Sequence, residues 1–386
     1  MKTNEDIQGQ SSRESSVYIA VNPARRTIAA AMALILLFLF CASGVYAGDF
    51  EPVHATVTRI NQFGAIVFDL NGIDLAYGDS VDVVFSGGYQ FKAIPFYPDF
   101  YGKMDDVALT VFQNALVIGG VARNPNLTAR IEPGETAVIT LEQKGRYREE
   151  FEAYNTNDAT YRAPGQTDED FLNAREVTVG AIQPGRLYRG SSPFDAEYGR
   201  VELMGAYIAT HNIRAVLNLA DSQERLEAIQ GLPAYTASLF KQGRVIPCHL
   251  GIDFLDPKSM EGVGKGFSEL TELELPWLIH CSLGRDRTGA VCAVVEALCG
   301  ASYDEIVQDY MTSYDTLHNI EMNPDSLQYR LFKLRIDEIL AAIAEIEIEQ
   351  LPHTDLHRAA VGYLLRCGMT QAQIDRLVGL LTEPRT

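Results

Sequence analysis

The chain has 386 residues, 47% of them hydrophobic and 22% charged, proportions typical of a folded polypeptide that exclude a mostly disordered one. With 32 basic against 51 acidic residues its formal net charge is -19, and the resulting field repels nucleic acid, so no nucleic-acid partner is expected. A pocket for an anionic ligand must then be a local positive island on an acidic body.

Near the N-terminus, Arg25 and Arg26 precede an uncharged run over 27–48 that ends in Val45-Tyr46-Ala47. Positive charge, an apolar stretch and small residues at the cleavage positions form the pattern of a secretory signal. The stretch is also long enough to span a bilayer. Residues 1–47 are therefore read as a signal peptide or a membrane anchor acting through 27–47, which makes the remainder extracytoplasmic, secreted or membrane-anchored.

From 50 to 145, apolar runs at 53–60, 65–70, 81–85, 108–118 and 137–141 alternate with Gly, Asp, Asn and Pro. That pattern predicts a small all-β domain, a barrel or a sandwich, with no catalytic cluster and an unknown partner. Residues 146–176 are polar and read as a linker. From 177 to 386 the text changes to strands at 215–219, 245–250 and 277–281 with helices at 196–211 and 264–273, an α/β domain with a mostly parallel sheet. A helical flank follows, opened by the capping pairs Ser302 with Glu305 and Thr370 with Gln373, the second after a stop at Gly368.

The cysteines of this half, Cys248, Cys281, Cys292, Cys299 and Cys367, contain no Cys-x2-Cys pair, so neither a disulfide framework nor a structural zinc site is indicated. His353 and His357 have i, i+4 spacing but belong to no His-Glu-x-x-His motif, and no metal or cofactor is expected.

The informative segment is His280-Cys281-Ser282-Leu283-Gly284-Arg285-Asp286-Arg287-Thr288-Gly289, set between an apolar strand and the apolar helical run 290–298. Strand, tight loop and helix together make a phosphate cradle, because successive backbone N–H groups turn inward and the helix presents its positive end. Residues 282–287, namely Ser282, Leu283, Gly284, Arg285, Asp286 and Arg287, would hold the phosphate. A thiol at the start of such a loop has its pKa lowered, which makes Cys281 a candidate nucleophile. Arg287 can clamp two oxygens with its planar fork, and Thr288 can hydrogen-bond the sulfur.

These ten residues resemble the signature of the protein tyrosine phosphatase superfamily, His-Cys-x5-Arg-[Ser/Thr]. Within it they are similar to a bacterial tyrosine and dual-specificity branch with lipid-capable members, whose loop reads His-Cys-x-x-Gly-[Lys/Arg]-Asp-Arg-Thr-Gly. The similarity runs over about 180–381: Leu187-Tyr188-Arg189-Gly190-Ser191 is similar to the branch's opening motif, Ile306-Val307-Gln308-Asp309-Tyr310 to its post-loop helix, and 359–381 to its final helix pair. One departure is Asn218-Leu219-Ala220 followed by Glu224, where the branch reads Asp-Leu-Arg before a Glu.

The resemblance implies a phosphatase that works through a phosphocysteine on Cys281. Protein phosphotyrosine is its default substrate, with a phosphoinositide or inositol phosphate as the alternative and a non-enzymatic phospho-ligand module as a third reading. It implies a general acid at Asp256, by likeness to dual-specificity members, or at Asp286, by likeness to the bacterial branch, with Asp253 as third candidate. Arg285 either accommodates a highly charged substrate or simply pairs with a carboxylate, and His280 is implied to be structural. Cys248 is either a buried strand cysteine or a partner for Cys281 on oxidation.

Overall fold

The computed structural model describes residues 50–61, 64–100, 102, 106–120, 130–156, 159–251 and 254–384. The expected signal or anchor at 1–47 and the candidate Asp253 lie outside the described residues. Among the described residues no helix is long and apolar enough to cross a membrane.

The first part is antiparallel β structure. Strands β1 (Val53–Ile60), β2 (Ile66–Phe68), β3 (Ser80–Phe85), β4 (Gln90–Pro95), β5 (Val107–Phe112), β6 (Ala115–Gly120) and β7 (Thr136–Gln143) form one sheet in the order β4-β3-β7-β1-β2-β6-β5. A bridge between Phe96 and Leu109 joins its two edges, so the sheet curls into a barrel-like form around Val57, Ile66, Val83, Leu109, Ile118 and Ile139. Closure removes the unpaired edges that an open sheet would expose. The run expected as one strand over 108–118 is a hairpin, because Gln113 and Asn114 adopt φ of 51° and 59° and turn β5 back onto β6. Paired positive φ values make the tight turn whose twist suits a hairpin.

Residues 146–176, expected as a linker, hold two short helices, α1 (Arg148–Tyr154) and α2 (Asp168–Leu172). Their polar composition concealed three apolar anchors, Tyr154, Phe171 and Leu172, all buried. Thr167 and Asp170 form the capping box that starts α2.

The second part centres on strands β8 (Arg175–Glu176), β9 (Leu187–Gly190), β10 (Ala215–Asn218), β11 (Val245–Pro247) and β12 (Trp277–His280), in the order β11-β10-β12-β9-β8. The pairings are parallel except between β8 and β9. Helices α3 (Val201–Thr210), α4 (Gln223–Ala228), α5 (Ala234–Lys241), α6 (Pro257–Leu270), α7 (Asp286–Leu298), α8 (Tyr303–His318), α9 (Leu327–Ala344), α10 (Leu356–Arg366) and α11 (Gln371–Thr382) surround it. Leu217 and Ile279 enter one core with α7 and the C-terminal helices, while Val216 and Leu278 enter another with α3. Alternate residues of β10 and β12 thus face opposite layers, as a sheet covered on both sides requires.

Helix α3 starts later than expected because Gly199, at φ 65°, ends a separate 3-10 turn over Ala196–Tyr198. Helix α6 starts earlier because Asp256 caps it and Pro257 fills its first turn, a pairing that fixes a helix start. The capping boxes at Ser302 and Thr370 both form. The parallel strands deliver their C-terminal ends to one edge of the sheet, which is where open α/β sheets place their ligands.

Candidate active site

Strand β12 ends at His280 and residues 281–285 loop into the first turn of α7. The carbonyls of this loop are held one after another from outside it. His280 Nδ1 meets the Cys281 carbonyl at 3.1 Å and Ser192 N–H donates to the Ser282 carbonyl at 3.0 Å. Asn173 Nδ2 donates to the Leu283 carbonyl at 3.1 Å, and Arg189 Nη2 to the Gly284 carbonyl at 3.0 Å. In a trans peptide the N–H points opposite to the carbonyl of the same unit, so outward carbonyls at 281–284 turn the N–H groups of Ser282, Leu283, Gly284 and Arg285 to the inside. Among the described residues none of these four N–H groups donates a hydrogen bond within the protein. A cradle of oriented amides results, the form in which backbone binds phosphate.

Gly284 makes this path possible. Its φ is 69°, and a Cβ there would lie 2.3 Å from the carbonyl of Gly190 on the neighbouring strand, so both the left-handed backbone and the close approach need glycine. Arg287 reaches back across the loop, Nη2 donating to Ser282 Oγ at 3.2 Å and Nη1 to the Leu250 carbonyl at 3.3 Å. Cys281 is buried.

Beneath the loop is an ionic floor. Arg189, fully buried, pairs with Asp309 of α8, and Arg175 Nε donates to the other carboxylate oxygen at 2.8 Å. Both guanidiniums also donate to Ser313 Oγ at 3.2 Å. Burial opposes the charge of Asp309, but the two arginines outweigh it and hold this carboxyl well below the usual range. Glu296 of α7 goes the other way: burial, with Asp309 beside it, pushes its carboxyl up. Arg175 continues the chain to Asn173 Oδ1 at 2.8 Å. The motif residues Arg189 and Asp309 therefore meet beneath the loop, and Asn173 and Arg175 join them from a segment that carried no motif.

The rim differs. Arg285 donates from Nε and Nη2 to Asp286 at 3.0 Å, lies 5.2 Å over the Tyr314 ring and hydrogen-bonds His318 Nε2. Tyr314 Oη donates to Asp286 Oδ1 at 3.1 Å. Burial works to raise the Asp286 carboxyl, yet Arg285 and Tyr314 outweigh it and hold the group below the usual range. Asp256 lies on the segment before α6, where its Oδ1 accepts from the N–H groups of Lys258 at 2.9 Å and Ser259 at 3.3 Å. Burial opposes that charge, but these capping bonds together outweigh it and keep Asp256 low as well. Tyr314 and His318 are rim residues that sequence reasoning passed over.

His280 is fully buried; burial lowers its pKa to about 4, so the ring is neutral and serves the Cys281 carbonyl. Thr288 Oγ1 is buried with no hydrogen-bond partner among the described residues, so the expected bond to the Cys281 sulfur is not formed here. Asn218, where the branch usually has Asp, closes a turn by accepting from the N–H groups of Ala220 at 2.9 Å and Asp221 at 3.0 Å. Cys248 faces α6, its sulfur 2.5 Å from where a Cβ at Gly266 would stand, and burial pushes its thiol up to about 12. His357 Nδ1 meets the Leu298 carbonyl at 2.8 Å, which gives that ring a structural contact.

A parallel strand, a loop opening on cysteine and closing on arginine, and a helix continuing that loop define a cysteine-based phosphate-loop protein. The family model described as "Tyrosine phosphatase family" matches residues 170–383, more than half of the chain, and the chain belongs to that family, within the protein tyrosine phosphatase superfamily. The triple specificity protein phosphatase PtpB of Mycobacterium tuberculosis is 30% identical over 121 residues, 28% of this chain. The match spans 44% of that relative's length. Among solved structures, the core catalytic domain of the PP-IP phosphatase SIW14 from S. cerevisiae, in complex with citrate, is 16% identical. It matches 44% of this chain and 94% of its own, with a TM-score of 0.24.

Proposed function

We propose that this chain hydrolyses phosphomonoesters, protein phosphotyrosine first among them, through a phosphocysteine on Cys281. The observation that carries the reading is the run of four outward-held carbonyls, which leaves four amides to receive the phosphate oxygens above the sulfur. Cys281 attacks as the thiolate; the S–P bond forms as the P–O bond to the leaving group breaks, and a carboxylic acid gives that oxygen its proton. Arg287 sets its fork on two equatorial oxygens and balances the charge that spreads over them. Water then attacks phosphorus, the same carboxylate takes its proton, the P–S bond breaks, and phosphate leaves with the thiolate restored.

Asp286 is the better candidate for that acid. It opens α7 at the loop itself, with its carboxylate aimed by Tyr314 and Arg285, whereas Asp256 is engaged in capping α6. Phosphotyrosine is favoured over a phosphoinositide because Arg285 is paired with Asp286 and seated on Tyr314 rather than held free for a second phosphate.

A panel of a phosphotyrosine peptide, a phosphoinositide and an inositol phosphate tests the reading, with Cys281→Ser as the blank. The peptide should turn over fastest, and Asp286→Asn should slow poor leaving groups by roughly 10²- to 10⁴-fold while Asp256→Asn stays near wild type. Faster turnover of the phosphoinositide, or a leaving-group effect that follows Asp256, would contradict it.

A further inference from the structure

Helix α1 is fastened at both ends of its contacts. On the barrel side, Tyr147 N–H donates to the Gly78 carbonyl at 2.8 Å, its hydroxyl to the Ala93 carbonyl at 2.5 Å, and Phe151 lies against Tyr77 with ring centroids 5.6 Å apart. Tyr97, which follows β4, stands 6.4 Å from Tyr154 in an edge arrangement. Any Cβ at Gly78 would come within 2.7 Å of Arg148 Cα, so barrel and helix approach as closely as glycine allows.

On the other side, two separate arms run from the end of α1 to the catalytic rim. The first is a ladder of rings. Tyr154 meets Phe332 of α9 edge-on at 5.5 Å, Phe332 meets Tyr314 of α8 at 4.9 Å, and Tyr314 holds both Asp286, through its hydroxyl, and Arg285, over its face. The second is polar. Thr156 Oγ1 lies 3.2 Å from His318 Nδ1, and His318 Nε2 faces Arg285 Nη1. A guanidinium only donates, so Nε2 accepts and the proton sits on Nδ1, which donates to Thr156. Gln328 Nε2, donating to the Ala153 carbonyl at 2.9 Å, fixes the junction from which both arms start.

We propose that α1 is a positioning element of the active site: Tyr154 and Thr156 set the orientation of Asp286 and Arg285 through Phe332, Tyr314 and His318, which makes the N-terminal barrel part of the catalytic unit. Ordinary interdomain packing would need only the ring contacts with α9. Two chemically different arms that converge on one ion pair at the mouth of the loop are what favours positioning. Edge-to-face rings hold a geometry as well as burying area, and a small error in the placement of a proton donor lowers the rate more than it lowers binding. This inference rests on Asp286 being the general acid.

The test uses the full chain and two aryl phosphates, phenyl phosphate with its poor leaving group and 4-nitrophenyl phosphate with its good one. Rates are normalised to the burst of leaving group released when Cys281 is phosphorylated. Tyr154→Leu should lower kcat on phenyl phosphate by roughly tenfold, equivalent to about 1.4 kcal/mol, with KM and the 4-nitrophenyl rate changed much less. Tyr154→Phe, which keeps the ring, should restore the wild-type ratio of the two rates, and Thr156→Val should lower that ratio in the same direction by a smaller factor. If Tyr154→Leu yields no folded protein, Thr156→Val carries the test alone. An unchanged ratio in the folded variants, an equal loss on both substrates, or a Tyr154→Phe variant as impaired as Tyr154→Leu overturns the proposal. A parallel Asp286→Asn variant separates the two levels: if it loses phenyl phosphate turnover selectively while the α1 variants do not, the positioning role fails and the acid assignment survives.

Discussion

The floor of the phosphate loop and its rim are both arginines facing an aspartate, yet their surroundings give them opposite tasks. On the floor, Arg189 and Asp309 have side chains 0% and 8% exposed, and burial pushes the Glu296 carboxyl up beside them. At the rim, Arg285 and Asp286 are 25% and 44% exposed. A buried pair fixes geometry, because losing either partner strands a charge away from water. A half-exposed pair contributes little to stability but keeps its carboxylate within reach of protons and substrate. The loop is thus held rigid from below and left titratable at its edge.

The largest expected effect lies on the floor. Asp309→Ala leaves Arg189 and Arg175 without their shared carboxylate and should cost about 3–5 kcal/mol in denaturant unfolding. The pH dependence has a definite sign. The folded state holds the Asp309 carboxyl well below its ordinary value, so its stabilising contribution is present above the normal carboxylate range and lost as pH falls. Asp309→Ala should therefore flatten the acid side of the stability profile, and a variant as stable and as steep as wild type would remove the floor from the account.

A smaller effect on stability, and a more telling one on rate, belongs to the rim. Arg285 keeps the Asp286 carboxyl low, so the protonated acid is abundant only at acid pH and turnover of poor leaving groups declines as pH rises through its pKa. Arg285→Gln removes the main opposing charge, lets that pKa rise and should move the declining limb to higher pH, while stability changes by about 1 kcal/mol or less. A limb that stays in place would show that Asp286 is not the group titrating, and one that moves lower would reverse the electrostatic assignment.

How much of this was legible in the sequence follows the same division between local and distant contacts. Residues 280–289 announced the phosphate loop because strand, thiol, glycine, arginine and helix are consecutive, and the capping boxes at Ser302 and Thr370 were equally local. Asp256 followed by Pro257 is a helix-start signature, equally local, and it forms. The hairpin between β5 and β6 hid because Gln113-Asn114 lacks the glycine that usually marks such turns. Asn173 bonds to a carbonyl 110 residues away and Arg189 pairs with a carboxylate 120 residues away, so only tertiary structure could join them to the loop. The ring ladder from Tyr154 through Phe332 to Tyr314 hid for the same reason, its first ring lying in a stretch whose polarity suggested a linker.

The most direct measurement is rapid-quench mass spectrometry of the full chain mixed with excess 4-nitrophenyl phosphate. A covalent phosphate should be found on the peptide containing Cys281, formed at least as fast as product and absent from Cys281→Ser, which should not turn over. Product accumulating while Cys281 stays unmodified, or a serine variant that retains turnover, would contradict the central claim.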